Sequence, residues 1–201
     1  MKIIKILPKS FESNSYILTA DGKTAVVIDP SPDILAALEE RNLTCKYVLL
    51  THGHFDHVGG CAALQNKGAQ IWCSEEEAPL IFSREYLGIF GGVSVPHFEV
   101  SHTVKHGDKF DLCGINFQAI STAGHTNGSM CFVADDKIFT GDTLFFRSVG
   151  RCDLPTGDFA ELTKSLKKLS SLVRDYKIFC GHGADTTLYA ERKYNPYLRE
   201  N

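Results

Sequence analysis

The 201-residue chain contains no run of 18 apolar residues, and its opening stretch, MKIIKILPKS, is interrupted at Lys5 and Pro8. The first absence argues against a membrane-spanning helix, and the interruption leaves too short an apolar core for a secretory signal. No CxxC pair occurs among the seven cysteines, Cys45, Cys61, Cys73, Cys113, Cys131, Cys152 and Cys180, and their number is odd. Neither a disulfide framework nor a zinc-finger spacing is therefore expected, and the cysteines read as reduced thiols, mostly small buried side chains. Cys180 stands two residues before His182 and is the one thiol with a functional neighbour, although burial is its expected role. Clustered basic charge is lacking too: 21 Lys and Arg are scattered among 24 Asp and Glu, for a net charge of −3. Such a surface does not invite a phosphate backbone, so nucleic acid is not an expected partner. With no linker or low-complexity tract either, the expectation is a soluble, cytoplasmic chain folded as one domain over residues 1–201.

What is present is an interleaving of strands and helices. KIIKIL, SYILTA and TAVVID are short β-branched and apolar runs, the latter two joined at Asp21-Gly22, which predicts an antiparallel meander. Ser31 and Pro32 supply an N-cap and a first helical turn for a helix carrying Ile34, Leu35 and Leu38, which leads into the buried strand KYVLLT. Later, DKFDL, INFQAIST and SMCFVAD give a second group of strands. DFAELTKSLKKLSSLV gives a helix with Asp158 and Glu161 at a capping-box-like offset and an apolar stripe of Phe159, Leu162, Leu166, Leu169 and Val173. Two strand-rich halves predict an α/β protein with two sheets face to face and helices outside. Residues 75–97, with Phe82, Tyr86 and Phe90 before Gly91-Gly92, fit this plan least and read as an excursion able to cover a site.

The chemistry concentrates in THGHFDHVGG, residues 51–60, which follows a strand and so falls where α/β proteins bind ligands. Three imidazoles and a carboxylate at His52, His54, Asp56 and His57 are the nitrogen and oxygen donors that zinc or iron accept. Because one catalytic metal takes about three protein ligands, four donors imply either two metals or one metal with oriented supporting groups. Two further histidines, His125 in TAGHTNGS and His182 in FCGHGADT, lie in glycine-rich turns after strands, and Asp142 in IFTGDTLF lies in a third. His97, His102 and His106 sit in a segment unsuited to a helix and read as solvated or structural.

This ordered set, HxHxDH followed by GHT, GDTLF and GHG turns, resembles the metallo-β-lactamase-fold superfamily, in particular its short glyoxalase-II-like (hydroxyacylglutathione hydrolase-like) branch. The resemblance covers nearly the whole chain, although Ala123 and Asn127 stand where typical members of the family have prolines. It implies a four-layer αββα sandwich and two divalent metal ions, zinc by preference, with iron or manganese as alternatives. His52, His54 and His125 would hold one ion, Asp56, His57 and His182 the other, and Asp142 would bridge. The implied activity is hydrolysis of a small-molecule acyl thioester or ester, with Asp56 orienting the attacking water. A thiolate leaves without protonation, which suits a motif set showing no separate general acid. Arg147 or Arg151 is the expected carboxylate clamp, with a salt bridge from Arg151 to Asp153 as the competing reading, and Phe90 is the expected apolar wall of a substrate pocket, with packing against the sheet as its alternative. Only 19 residues follow His182, so the helical glutathione-binding domain of full-length glyoxalase II is not expected. Two other readings stay open: a mononuclear iron persulfide dioxygenase using His52, His125 and Asp142, and a non-enzymatic metal-binding module.

Overall fold

The architecture was analysed in a computed structural model, which describes residues 1–7, 13–84, 86 and 95–199. The first half of the chain builds one six-stranded sheet in sequence order: β1 (Lys2–Ile6), β2 (Ser15–Thr19), β3 (Thr24–Ile28), β4 (Thr44–Leu49), β5 (Gln70–Ser74) and β6 (His102–Val104). Its first three strands form the antiparallel meander expected from Asp21-Gly22, and β3 to β6 then run parallel. The second half builds the other sheet from β7 (Lys109–Leu112), β8 (Ile115–Ser121), β9 (Met130–Ala134), β10 (Lys137–Gly141), β13 (Lys177–Cys180) and β14 (Thr186–Thr187). A two-stranded hairpin of β11 (Leu144–Phe145) and β12 (Ser148–Val149) lies between β10 and β13 in the sequence.

Alternation along the strands sends residues to two different apolar layers. Tyr16, Leu18, Val26, Ile28 and Leu49 from the first sheet meet Phe117, Phe132 and Phe139 from the second in a layer between them. The opposite faces are covered by helices. Ile17, Val27 and Val48 pack against Ile34 and Leu38 of α1 (Ile34–Glu39) and Cys61 and Leu64 of α3 (Cys61–Asn66). Ile120, Ile138 and Ile178 pack against Leu162, Leu166 and Leu169 of α4 (Phe159–Ser170). The four layers are thus helix, sheet, sheet, helix.

Local details correct the sequence reading in two places. Helix α1 starts later than Ser31: Asp33 occupies the N-cap, while the Ser31 hydroxyl is buried and makes no hydrogen bond. The apolar stripe on α4 is also shorter than expected, since Phe159 is 57% exposed and Val173, beyond the helix end, is 98% exposed. Asp158 does cap that helix, accepting from the backbone N–H groups of Ala160 and Glu161. Glu161 completes no capping box; its carboxylate pairs with Lys164 one turn on. The seven cysteines are all free thiols, five of them buried, and burial pushes Cys180 up to about 12, far from a reactive thiolate. Among the described residues no helix is long and apolar enough to cross a membrane.

Candidate metal centre

Strands β3, β4, β8, β10 and β13 all point the same way within their sheets, and the residues singled out in the sequence follow their C-terminal ends. His52 and His54 leave β4, and Asp56 and His57 lie on the single-turn helix α2 (Phe55–Val58). His125 follows β8, Asp142 follows β10 and His182 follows β13. Seven residues spread over 131 positions of sequence converge on one edge of the sandwich. His52, His54 and His125 present ligand atoms within 4.8 Å of one another, and so do Asp56, His57 and His182. Asp142 lies between the two sets: its carboxylate oxygens are 3.3 Å from His57 Nε2, 3.4 Å from His182 Nε2 and 3.5 Å from His125 Nε2.

The supporting hydrogen bonds fix which ring nitrogens face inward. His57 Nδ1 donates to Asp29 Oδ2 at 2.9 Å, and His125 Nδ1 donates to the Arg151 carbonyl at 2.7 Å. The Thr51 hydroxyl donates to Asp29 Oδ2 at 2.6 Å, so its oxygen is left to accept from His52 Nδ1 at 3.2 Å. In each ring the outward nitrogen is held by the protein and Nε2 is turned toward the cluster. His52 Nε2, His57 Nε2 and Asp142 Oδ1 are buried and make no hydrogen bond. Buried polar atoms left in this state ordinarily cost about 1–3 kcal/mol each. Three such atoms facing one space are relieved together by a cation, and a nitrogen-rich set with carboxylates is what zinc or iron accepts. Backbone clearance fits as well, because a Cβ on Gly181 would lie 2.9 Å from His57 Cε1 and collide with Asp142 Oδ1. The residues present therefore fit a metal pair.

The electrostatics divide the histidines. Burial, reinforced by the neighbouring imidazoles, holds His52 well below the usual histidine range and pushes His54 down to about 3, so both are neutral ligand-ready rings. Burial also opposes charge on His57 and His182, but Asp56 and Asp142 outweigh it, raising His57 strongly and His182 to about 9. Protons on these two rings stand where cations would otherwise balance the carboxylates. A raised histidine pKa contributes stability that is complete below its unfolded value, near 6.5, and vanishes as pH rises through the folded value. Metal-free protein is therefore expected to lose stability toward urea between about pH 6.5 and 9. A flat midpoint across that range would show that the carboxylates do not hold these protons.

Several expected site residues are placed elsewhere. Arg151 forks onto Asp153, Nε to Oδ1 and a terminal nitrogen to Oδ2, both at 2.6 Å. Arg147 lies over the Tyr194 ring, 4.3 Å from its centre, and donates to the Ala190 carbonyl at 3.3 Å. Both guanidinium groups thus have internal partners. Phe90, with Gly91-Gly92, lies outside the described residues. Of the excursion, Phe82 packs on Phe98, while Tyr86 is fully buried with its ring 5.0 Å from that of His54. His102 stacks on Trp72, His97 pairs with Glu99, and His106 accepts from the Ser121 N–H, so none of the three joins the cluster.

Two carboxylates were not singled out in the sequence. Asp29 takes bonds from His57, the Thr51 hydroxyl and the Thr51 N–H, and its place at the end of a buried strand was a readable signal. Glu77 is fully buried beneath the His52–His54 loop, yet within Glu75-Glu76-Glu77 it looks like a solvated acidic turn.

Comparison with known proteins decides the family, since residues 9–182 match the profile of the metallo-beta-lactamase superfamily. The chain belongs to that superfamily. Hydroxyacylglutathione hydrolase GloC of Haemophilus influenzae is 37% identical over 206 residues, an alignment covering 97% of each chain. Among solved structures, BLEG-1 B3 metallo-beta-lactamase superposes with a TM-score of 0.91 at 28% identity, covering 99% of this chain and all of that one. TTHA1623, crystallised in a di-iron-bound form, gives 0.85 at 32% identity over 97% of this chain and all of that one. The metallo-beta-lactamase fold of these relatives agrees with the helix–sheet–sheet–helix layering described above.

Proposed function

We propose that the protein is a binuclear metal-dependent hydrolase of a small acyl thioester or related ester, similar in activity to hydroxyacylglutathione hydrolases. The observation that carries this reading is the pairing of the His52–His54–His125 and Asp56–His57–His182 sets about the shared carboxylate of Asp142. In this assignment each set holds one divalent ion and Asp142 touches both. The bound ions would acidify a coordinated water toward neutral pH and polarise a substrate carbonyl. The protein's own part is orientation. Asp29 and the Arg151 carbonyl fix the His57 and His125 rings, and the Asp56 carboxylate, which lies 3.2 Å from His182 Nε2, is placed to align the attacking oxygen. A thiolate departs unprotonated, which favours thioesters over amides. Seven free thiols accord with work in a reducing compartment, the cytoplasm.

Metal analysis of purified protein together with a substrate panel tests this directly. About two first-row ions per chain and turnover of S-lactoylglutathione or simpler acyl thioesters, exceeding turnover of a chromogenic β-lactam, are expected. One tightly held iron with oxygen uptake on a persulfide would replace this reading with the dioxygenase. Metal without turnover of any panel member would leave a binding module. Because Arg147 and Arg151 have internal partners, discrimination in favour of the glutathione conjugate over smaller thioesters is expected to be weak.

A further inference from the structure

We propose that Glu77 is a positioning residue that sets the geometry of the His52–His54–His125 metal group; this rests on the binuclear reading above. Its carboxylate ties together the two loops that carry the three ligands. Oε1 accepts the Gly53 N–H at 2.7 Å, and Gly53 is the residue between His52 and His54. Oε2 accepts the Thr126 hydroxyl at 2.8 Å, and Thr126 immediately follows His125. A third donor, the Tyr86 hydroxyl, reaches Oε1 at 2.8 Å from the segment whose ring lies beside His54. All three ligands of one group are thus held, one residue away, by the two oxygens of a single side chain. The other group has its own brace in Asp29, which bonds His57 directly and reaches this set at His52 alone, through Thr51.

The chain makes room for Glu77. A Cβ on Gly128 would stand 2.5 Å from the Glu77 backbone nitrogen and 2.7 Å from its Cα. The Ser74 hydroxyl donates to the Gly128 carbonyl at 2.6 Å and accepts the Glu77 N–H at 3.1 Å, pinning the same corner. Burial raises the Glu77 pKa, against donors from Gly53, Thr126, Tyr86 and Gly128. A buried acid without a cation beside it is costly unless its lone pairs are filled, and here they are filled by donors belonging to the two ligand loops. An amide in its place would turn a donor toward one of those loops.

The test is Glu77→Gln, read by zinc affinity in competition with a chelator and by the absorption spectrum of the cobalt(II) form, alongside metal-free thermal unfolding. One ion is expected to weaken by about 10–100-fold while the other keeps its affinity, with an altered cobalt spectrum for the weakened ion. Equal affinities and an unchanged spectrum, whatever happens to stability, would overturn the proposal. Should Glu77→Gln fail to fold, Thr126→Val and Thr126→Ser decide: Val should weaken the same ion several-fold and Ser should not, whereas identical behaviour of the two overturns it. Failure of the binuclear reading would show separately, as wild-type protein that does not take up two ions.

Discussion

Asp142→Ala is expected to leave purified protein with roughly half or less of the wild-type metal and to lower thioester hydrolysis by more than about 100-fold, since residues that merely support metal ligands already cost about 10–100-fold. The reasoning is geometric. Its carboxylate oxygens lie within 3.5 Å of nitrogens on His57, His125 and His182, so one substitution removes a donor from both groups. The loss is also electrostatic, because Asp142 is held well below the usual carboxylate range: burial works against its charge, and His57 and His182 more than offset it. Removing it leaves the His57 and His182 imidazoles facing one another with Asp56 beside both and Asp29 beside His57 alone. Mass-spectrometric metal counting on the folded variant is the measurement, and full occupancy by two ions would refute the bridging assignment.

Asp29→Ala is expected to have the largest effect on stability. Three donors lose their acceptor at once: the Thr51 N–H, the Thr51 hydroxyl and His57 Nδ1. At about 1–3 kcal/mol for each buried unsatisfied group, the total is about 3 kcal/mol or more. For a chain of this size that corresponds to a fall in Tm of roughly 10 °C, measurable on metal-free protein by calorimetry. Asp29→Asn keeps the size and one acceptor oxygen and should fall by distinctly less. Equal, small shifts in both variants would mean that the Asp29 network adds little to the fold.

The fold was legible where periodicity and turn chemistry act locally. Alternating apolar residues and Asp21-Gly22 give the meander, and the Asp158 cap and the Leu162–Leu166–Leu169 spacing give α4. The seven residues of the candidate metal centre were legible because metal chemistry restricts residue type, and glycine-rich turns after strands restrict place. Charge that is buried by distant contacts was not legible. Glu77 reads as surface because its neighbours Glu75 and Glu76 are exposed, and it is enclosed by the His52–His54 loop, Tyr86 and the return of the 126–128 loop from the other sheet. The Arg151–Asp153 pairing was legible, because the two residues are close in sequence and of opposite charge. Val173 extends the helical period in sequence, yet the helix has already ended at Ser170.

Each six-stranded sheet is built from one half of the chain, β1 to β6 before residue 105 and β7 to β10 with β13 and β14 after it, so the first is translated whole before the second begins. His52, His54, Asp56 and His57 are translated 125 residues before His182 is reached, measured from His57. At about 5–20 residues per second, this interval lasts on the order of 6–25 s. For its first part Tyr16, Leu18, Val26, Ile28 and Leu49 have no opposing residues to cover them, since Phe117, Phe132 and Phe139 are translated later. In the binuclear assignment proposed above, the first half alone would supply His52 and His54 to one ion and Asp56 and His57 to the other, with His125, Asp142 and His182 following from the second half. Under that assignment tight metal retention would wait for the second sheet, and a chain truncated before it would hold a complete site for neither ion.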